Sequence, residues 1–276
     1  MKVGIDVSQH QLEWPEIRRR VLWADEAGFE SAWVFDHFTS LYGDPMGPCL
    51  EAWTLLAALG AITTQIRLGA LVTGVTYRNP ALLAAEVVTV DQVSGGRLNV
   101  GLGAAWHRSE HDRLGFDFPA TGERIERLDE TVQIIKGLLT SDDFDFEGRH
   151  YRLHHAYYHP RPVQRPHPPI WIGAGGEKVM LPLVARLADV WHGFGAVDDL
   201  TRKSAIVDRA AEAAGRAPEE IGRSTNLSIS EPWDVVRRQA DRVRAAGFSH
   251  LIASWPAEGL ARVEEFATRV MPELVA

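Results

Sequence analysis

The sequence predicts a (β/α)8 barrel, and three observations predict it. Short apolar segments alternate with amphipathic ones, eight times over, along the chain. The apolar segments are near-continuous, as in parallel strands covered on both faces. The 276 residues show no domain boundary, and α/β barrels reach this length as one unit. An open doubly wound sheet would share the alternation, but eight successive units favour closure. A single domain over residues 1–276 is therefore expected.

Residues 3–7 read as the first strand. Helix 14–27 follows, with Pro15 suited to its first turn and Gly28 closing it. Strand 31–35 delivers Asp36 and His37 at its C-terminal end. Helix 51–64 and strand 66–72 come next, and Asn79 and Pro80 open the third helix as cap and first residue. Ser94, Gly95 and Gly96 end that helix, and strand 97–100 follows. Gly101, Leu102, Gly103, Ala104 and Ala105 then carry almost no side-chain bulk, so the backbone there can approach something flat and large. Residues 106–115 and 123–139 read as helix, with Ile125, Leu128, Val132, Ile135 and Leu139 at helical spacing.

The rhythm breaks over 142–169, between helix four and strand five. This insertion holds five prolines, and 144–151 reads as a small hairpin. So long an irregular stretch is usually a functional lid or a disordered segment, and its aromatic content favours an ordered one. Regularity returns with strand 169–172, the turn Gly173-Ala174-Gly175-Gly176 and helix 177–187. Strand 189–192, helix 198–214, strand 224–229, helix 233–246, strand 251–254 and helix 260–271 complete the alternation.

A formal charge of −8 argues against nucleic acid as a partner, since phosphate binding needs basic patches. The single cysteine, Cys49, excludes a disulfide framework within the chain and fits a reducing cytoplasm. No apolar run approaches the roughly 20 residues that span a bilayer, and the first residues carry no signal-peptide pattern. A cytoplasmic protein without a membrane partner is expected.

In a barrel the loops after the strands share one face, where the active site lies. Asp36, His37, Thr73, Gly74, residues 103–107, 173–178 and 192–195 would meet there. The glycine turn Gly173-Ala174-Gly175-Gly176 before a helix reads as an anion cradle, its free N–H groups and the helix dipole favouring a phosphate. Glu177 beside it fits only if its carboxylate points away. A simple packing turn is the plainer use of such glycines.

His37 is the leading acid–base group, because imidazole titrates near neutrality and Asp36 or another carboxylate could tune it. A histidine bonded to backbone carbonyls is the alternative. His107-x-x-Glu110-His111 matches the spacing of one zinc-peptidase motif, but such short matches arise by chance and no third ligand stands at a suggestive distance. No metal is expected.

Taken together, these residues resemble the luciferase-like monooxygenase superfamily, flavin- and deazaflavin-dependent enzymes on a modified eightfold barrel. The likeness covers essentially the whole chain. It rests on Glu26-Ala27-Gly28-Phe29 into Asp36-His37-Phe38, and on Leu68-Gly69-Ala70-Leu71-Val72-Thr73 with Tyr77-Arg78-Asn79-Pro80. It continues through Ser94-Gly95-Gly96-Arg97-Leu98 and Gly101 to Trp106, then Pro160-Arg161-Pro162 and Pro168-Pro169-Ile170-Trp171-Ile172-Gly173.

The resemblance implies an isoalloxazine-type ring at the barrel mouth, with phosphate near Gly175 and Gly176. It also implies a cis non-prolyl bulge at Leu71–Val72, against which the ring rests. The similar branch is the one presumed to use the deazaflavin coenzyme F420. There Asp36 and His37 match the pair that meets the ring, and His107 matches a polar residue that contacts it. The cofactor-binding set implied is Leu71, Val72, Thr73, Gly103, Ala104, His107 and residues Gly173 to Glu177. Related sugar-phosphate dehydrogenases carry a carboxylate where this chain has Ala104, which counts against that reaction.

The expected activity is hydride transfer between bound F420 and a small organic substrate, by a homodimer. An FMN-dependent monooxygenase using molecular oxygen is the near alternative. A metal-dependent hydrolase built on His37, His107 and His111, or a deazaflavin carrier without turnover, are the readings from other classes.

Overall fold

The computed structural model describes residues 1–275. In chain order the first half runs β1 (Lys2–Asp6), α1 (Trp14–Glu26), β2 (Ser31–Val34), α2 (Ala52–Ile62), β3 (Arg67–Ala70), the two-residue β4 (Thr73–Gly74), α3 (Pro80–Val93) and β5 (Leu98–Gly103). Next come α4 (Arg108–Leu114), α5 (Thr121–Thr140) and the hairpin β6 (Phe144–Glu147) and β7 (Arg152–Ala156). The chain finishes with β8 (Ile170–Gly173), α6 (Met180–Leu187), β9 (Val190–Gly193), α7 (Val197–Ala213), β10 (Gly222–Leu227), α8 (Trp233–Ala245), β11 (His250–Ser254), α9 (Leu260–Arg269) and α10 (Met271–Val275).

Eight of these strands close a parallel barrel in the order β3-β2-β1-β11-β10-β9-β8-β5, with β3 pairing back onto β5. The expected (β/α)8 barrel is the fold. Its strands are buried on both faces because the helices cover one side and the barrel interior fills the other. Trp33 and Trp171 meet inside at 4.6 Å between ring centroids, packed with Val190 and Ile252. The larger apolar layer lies between sheet and helices, where residues such as Leu56, Val87, Leu102, Val184 and Phe266 are fully buried. A buried aliphatic side chain of this kind contributes about 1.5–3 kcal/mol.

Several boundaries differ from the sequence reading. Strand four does not stop at Val100; it runs through Gly103 because the small residues sit comfortably between β3 and β8. The third strand is broken at Leu71–Val72, where the peptide bond is cis as the family resemblance implies, and pairing resumes at Thr73. The sixth helix begins at Met180 rather than at residue 177, because residues 177–179 form a turn first.

The insertion is not a lid. Its hairpin is longer than 144–151, reaching Ala156, and it packs beside α5. The chain then runs down α3 to the base of the barrel. The Tyr158 hydroxyl donates to the Ala81 carbonyl in the first turn of α3 at 2.7 Å, and Gln164 Nε2 donates to Asp91 Oδ1 near its end at 2.7 Å and to the Leu98 carbonyl at 2.8 Å. Leu98 opens β5, so the insertion caps the N-terminal end of the strands, opposite the mouth.

Candidate active site

The C-terminal ends of β1, β2, β5 and β8 surround a hollow of about 440 Å³. The cis-linked Leu71 and Val72 form its floor together with Gly103 and Gly173, and Ala104 and Ala174 border it. The Val72 side chain packs directly on the two glycines: a Cβ on Gly103 would stand 2.5 Å from Cγ2 of Val72, and one on Gly173 would stand 3.0 Å from Cγ1. The result is an apolar slot with a flat floor. Phe35, Trp106 and Phe194 extend it outward, and Trp106 is 65% exposed, leaving its indole face free.

His37 stands on this hollow just past β2. Its Nδ1 lies 2.9 Å from Oε2 of Glu110, on the first turn of α4. A carboxylate only accepts, so the proton sits on Nδ1 and Nε2 is left for chemistry. Glu110 itself is fully buried, and also accepts from the N–H groups of Phe38 and Thr39, the Thr39 hydroxyl and the Tyr77 hydroxyl at 2.6–3.0 Å. Burial alone would raise its pKa, but the bonds from His37, Tyr77 and Thr39 outweigh that and hold it at about 2. The carboxylate is thus permanently charged and rigidly placed.

Asp36 does not tune His37. Its Oδ2 accepts from the Gly74 N–H at 3.0 Å and from Arg78 Nη1 at 2.7 Å, because the side chain turns toward α3 and away from α4. Burial raises its pKa against the pull of Arg78. Arg78 is shared: it also bonds Glu51 and lies 3.2 Å from Glu86. Burial pushes the Glu86 carboxyl up to about 7, with Arg78 opposing.

The other expected positions fall at different distances from the slot. Leu71, Val72, Gly103, Ala104, Gly173, Ala174 and Gly175 line it. Thr73 is buried beside it, its hydroxyl accepting from the Trp53 indole N–H at 3.2 Å. His107 is outside the lining; its ring is 5.8 Å from that of His37 and its Nε2 is 3.0 Å from the Ser109 hydroxyl. Gly176 and Glu177 continue the turn beyond the hollow. The Glu177 carboxylate does point away, paired with Arg202 at 2.7 Å. The N–H groups of Gly175 and Gly176 meet no protein acceptor among the described residues, and Lys203 Nζ is the atom nearest to where a Cβ of Gly175 would be.

The His-x-x-Glu-His pattern is spent on these contacts. His111 is buried, with Nε2 at 2.6 Å from the Thr76 hydroxyl and Nδ1 at 2.9 Å from the His107 carbonyl. Neither it nor Glu110 is free to hold a metal, and among the described residues no three acidic, histidine or cysteine side chains cluster suitably. Glu110, Tyr77, Arg78 and His10 are the site residues that the sequence reading passes over. The spacing that suggests zinc is the one signal for Glu110: an acid facing inward beside a histidine-bearing loop.

A profile of the luciferase-like monooxygenase family matches residues 1–268. An F420-dependent glucose-6-phosphate dehydrogenase of Amycolatopsis mediterranei is 31% identical over 239 residues, which cover 85% of this chain and 70% of that one. An FMNH(2)-dependent dimethylsulfone monooxygenase of Pseudomonas putida is 32% identical over 233 residues, covering 82% and 63%. Among solved structures, an F420-dependent secondary alcohol dehydrogenase in complex with an F420–acetone adduct aligns with a TM-score of 0.86 at 19% identity, over 99% of this chain and 98% of that one. An F420-dependent tetrahydromethanopterin reductase from Methanopyrus kandleri aligns with a TM-score of 0.84 at 18% identity, over 99% and 100%. The structural likeness speaks for the fold, and the sequence matches for the family. The chain belongs to the luciferase-like monooxygenase family and is an oxidoreductase on that family's barrel.

Proposed function

We propose that the protein transfers a hydride between bound coenzyme F420 and a small organic substrate. The observation that carries this is the slot: a flat floor made by the Leu71–Val72 bulge packed on Gly103 and Gly173, with one imidazole nitrogen left free at its rim. A planar tricycle suits such a floor, since apolar surfaces with few polar groups are how flat ligands are held. The unpaired N–H groups at Gly175 and Gly176, with Lys203 beside them, suit the cofactor's phosphate. F420-dependent relatives support the deazaflavin, and the FMNH(2)-dependent relative is why FMN stays the second reading.

When bound, the deazaflavin supplies the hydride acceptor or donor. The chain's own residues supply orientation and proton handling. Leu71, Val72, Gly103 and Gly173 would support one face of the ring and exclude water from it. His37 Nε2 takes the proton released as a substrate is oxidised, or returns it in the reverse direction. Glu110 keeps Nδ1 protonated and stabilises the imidazolium that results.

We further assign Leu82 and Val93, which share one face of α3, to a homodimer contact with Tyr157 and Val163 of the insertion beside them. All four are more than 40% exposed. The working location is the cytoplasm, with one catalytic barrel domain per chain. No described helix is long and apolar enough to cross a membrane.

Spectroscopic titration tests the cofactor choice. The protein should bind F420 at micromolar concentration or below, and FMN more weakly. Tight FMN binding with none for F420 would replace the proposal by the FMN monooxygenase.

A further inference from the structure

His10 lies in the loop after β1 and on the same hollow as His37. It is only 7% exposed. Its ring plane is fixed by Phe35, 3.8 Å away between centroids, and by the edge of Tyr42 at 5.5 Å. The Phe35 ring is in turn 6.0 Å from His37, so the two imidazoles flank one aromatic side chain.

The tautomer of His10 follows from its one hydrogen bond. The backbone N–H of Leu41 donates to Nδ1 at 3.1 Å, so Nδ1 offers a lone pair and the ring proton is on Nε2. That Nε2–H has no acceptor among the described residues, although it is buried. Burial, and then repulsion from His37 whenever that ring is protonated, lower the pKa to about 4 against the pull of Glu110, so the ring is neutral at physiological pH. His10 is therefore a fixed, uncharged donor. His37 is its complement, with Nδ1 protonated and Nε2 an acceptor.

We infer that His10 Nε2–H binds the oxygen of the substrate, and that the substrate is a neutral alcohol or its carbonyl counterpart. The inference rests on the proposed hydride transfer. Asp6 and Asp36 line the hollow and Glu110 lies just behind His37, which disfavours an anion; the cation in the lining, Arg124, is engaged by the carbonyls of Ala104 and Pro119. Phe35, Leu41, Leu71 and Trp106 add apolar surface. In the oxidation the alcohol's C–H bond breaks and its hydride passes to the deazaflavin, which is reduced. The O–H proton goes to His37 Nε2, and the new carbonyl oxygen keeps the bond from His10.

Histidine-specific ¹⁵N spectra of the protein with F420, titrated with cyclohexanone, give a readout that needs no turnover. The His10 Nε2 signal should shift on saturation, and His10→Phe should weaken cyclohexanone binding about tenfold, the worth of one such bond. His10→Gln, which restores an N–H at a similar place, should recover most of it. F420 affinity should be unchanged in both variants. Equal cyclohexanone affinity in wild type and His10→Phe would overturn the inference while leaving the hydride reading intact. A wild type that binds no F420 would remove both, and cyclohexanone binding that leaves the His10 signal unmoved would overturn this one alone.

Discussion

The two ends of the barrel treat their buried polar groups differently. At the base, Asp25 accepts four hydrogen bonds, from the N–H groups of Thr64, Gln65 and Ile66 and from the Thr64 hydroxyl. Arg97 donates four, to the carbonyls of Gly60, Thr63 and Ile66 and the Thr63 hydroxyl. Gln164 ties the insertion to Asp91, Arg67 and Leu98. The exception is the indole N–H of Trp171, which has no partner. At the mouth, His10 Nε2 and Asp36 Oδ1, both on residues that line the hollow, are buried without a protein partner. An unmet buried group costs about 1–3 kcal/mol, so one end is organised for stability and the other is held open for a ligand.

The largest test of this division is at His37. Replacing it by alanine should lower turnover about 10²–10⁴-fold, the usual reach of general acid–base catalysis. The melting temperature should fall only modestly, because Glu110 keeps the four bonds from Phe38, Thr39 and Tyr77 when the one from His37 is lost. An equal loss of cofactor affinity and turnover would make His37 a wall residue instead.

Asp25→Ala should do the reverse. It strands three backbone N–H groups and a hydroxyl, so denaturant titration should show a loss of about 2–4 kcal/mol. Turnover per folded molecule should stay normal. Burial alone would raise the Asp25 pKa, but the four bonds outweigh it and the folded value is lowered. Its contribution is therefore complete above the unfolded value of 3.8 and lost as pH falls through the folded one. Unchanged stability would break the contrast between the ends.

Gly175→Asp sharpens it at the cofactor's anchor. A side chain there meets only Lys203 Nζ, at 3.7 Å from its Cβ, so folding should survive. The new carboxylate would engage that lysine and repel a phosphate, weakening F420 binding by about tenfold or more. An unchanged dissociation constant would put the phosphate elsewhere.

The smallest effect is at Asp6, which ends β1 on the hollow. Burial raises its pKa to about 6, against the bond from the Ser8 N–H. A raised folded value means stability is complete below 3.8 and lost as pH rises through about 6. Asp6→Asn should thus stabilise the protein at about pH 7.5 and leave its stability unchanged at about pH 3.5. Destabilisation at neutral pH would contradict the raised value.

The barrel was legible because its signals are local. Apolar runs, Pro80 after Asn79 and Gly95-Gly96 after Ser94 mark elements whatever lies across the fold. The slot was legible too, since Gly103 and Gly173 are small residues at strand ends. The polar network was not. Glu110 and His37 are 73 positions apart, and Asp36 and Arg78 are 42 apart. No periodicity tells which of Asp36 and Glu110 will face the histidine. The insertion misleads for a similar reason: aromatics and prolines signal order, but its course along α3 to the base depends on Tyr158 finding Ala81 and Gln164 finding Asp91 and Leu98.

Hydrogen exchange measured by mass spectrometry, with and without F420, compares the two ends in one experiment. Binding should slow exchange at 71–77, 101–107 and 173–177 around the mouth, and leave 63–67 and 164–169 at the base as they were. Protection confined to the base or the insertion, with the mouth unaffected, would contradict the assignment of the open end to the cofactor.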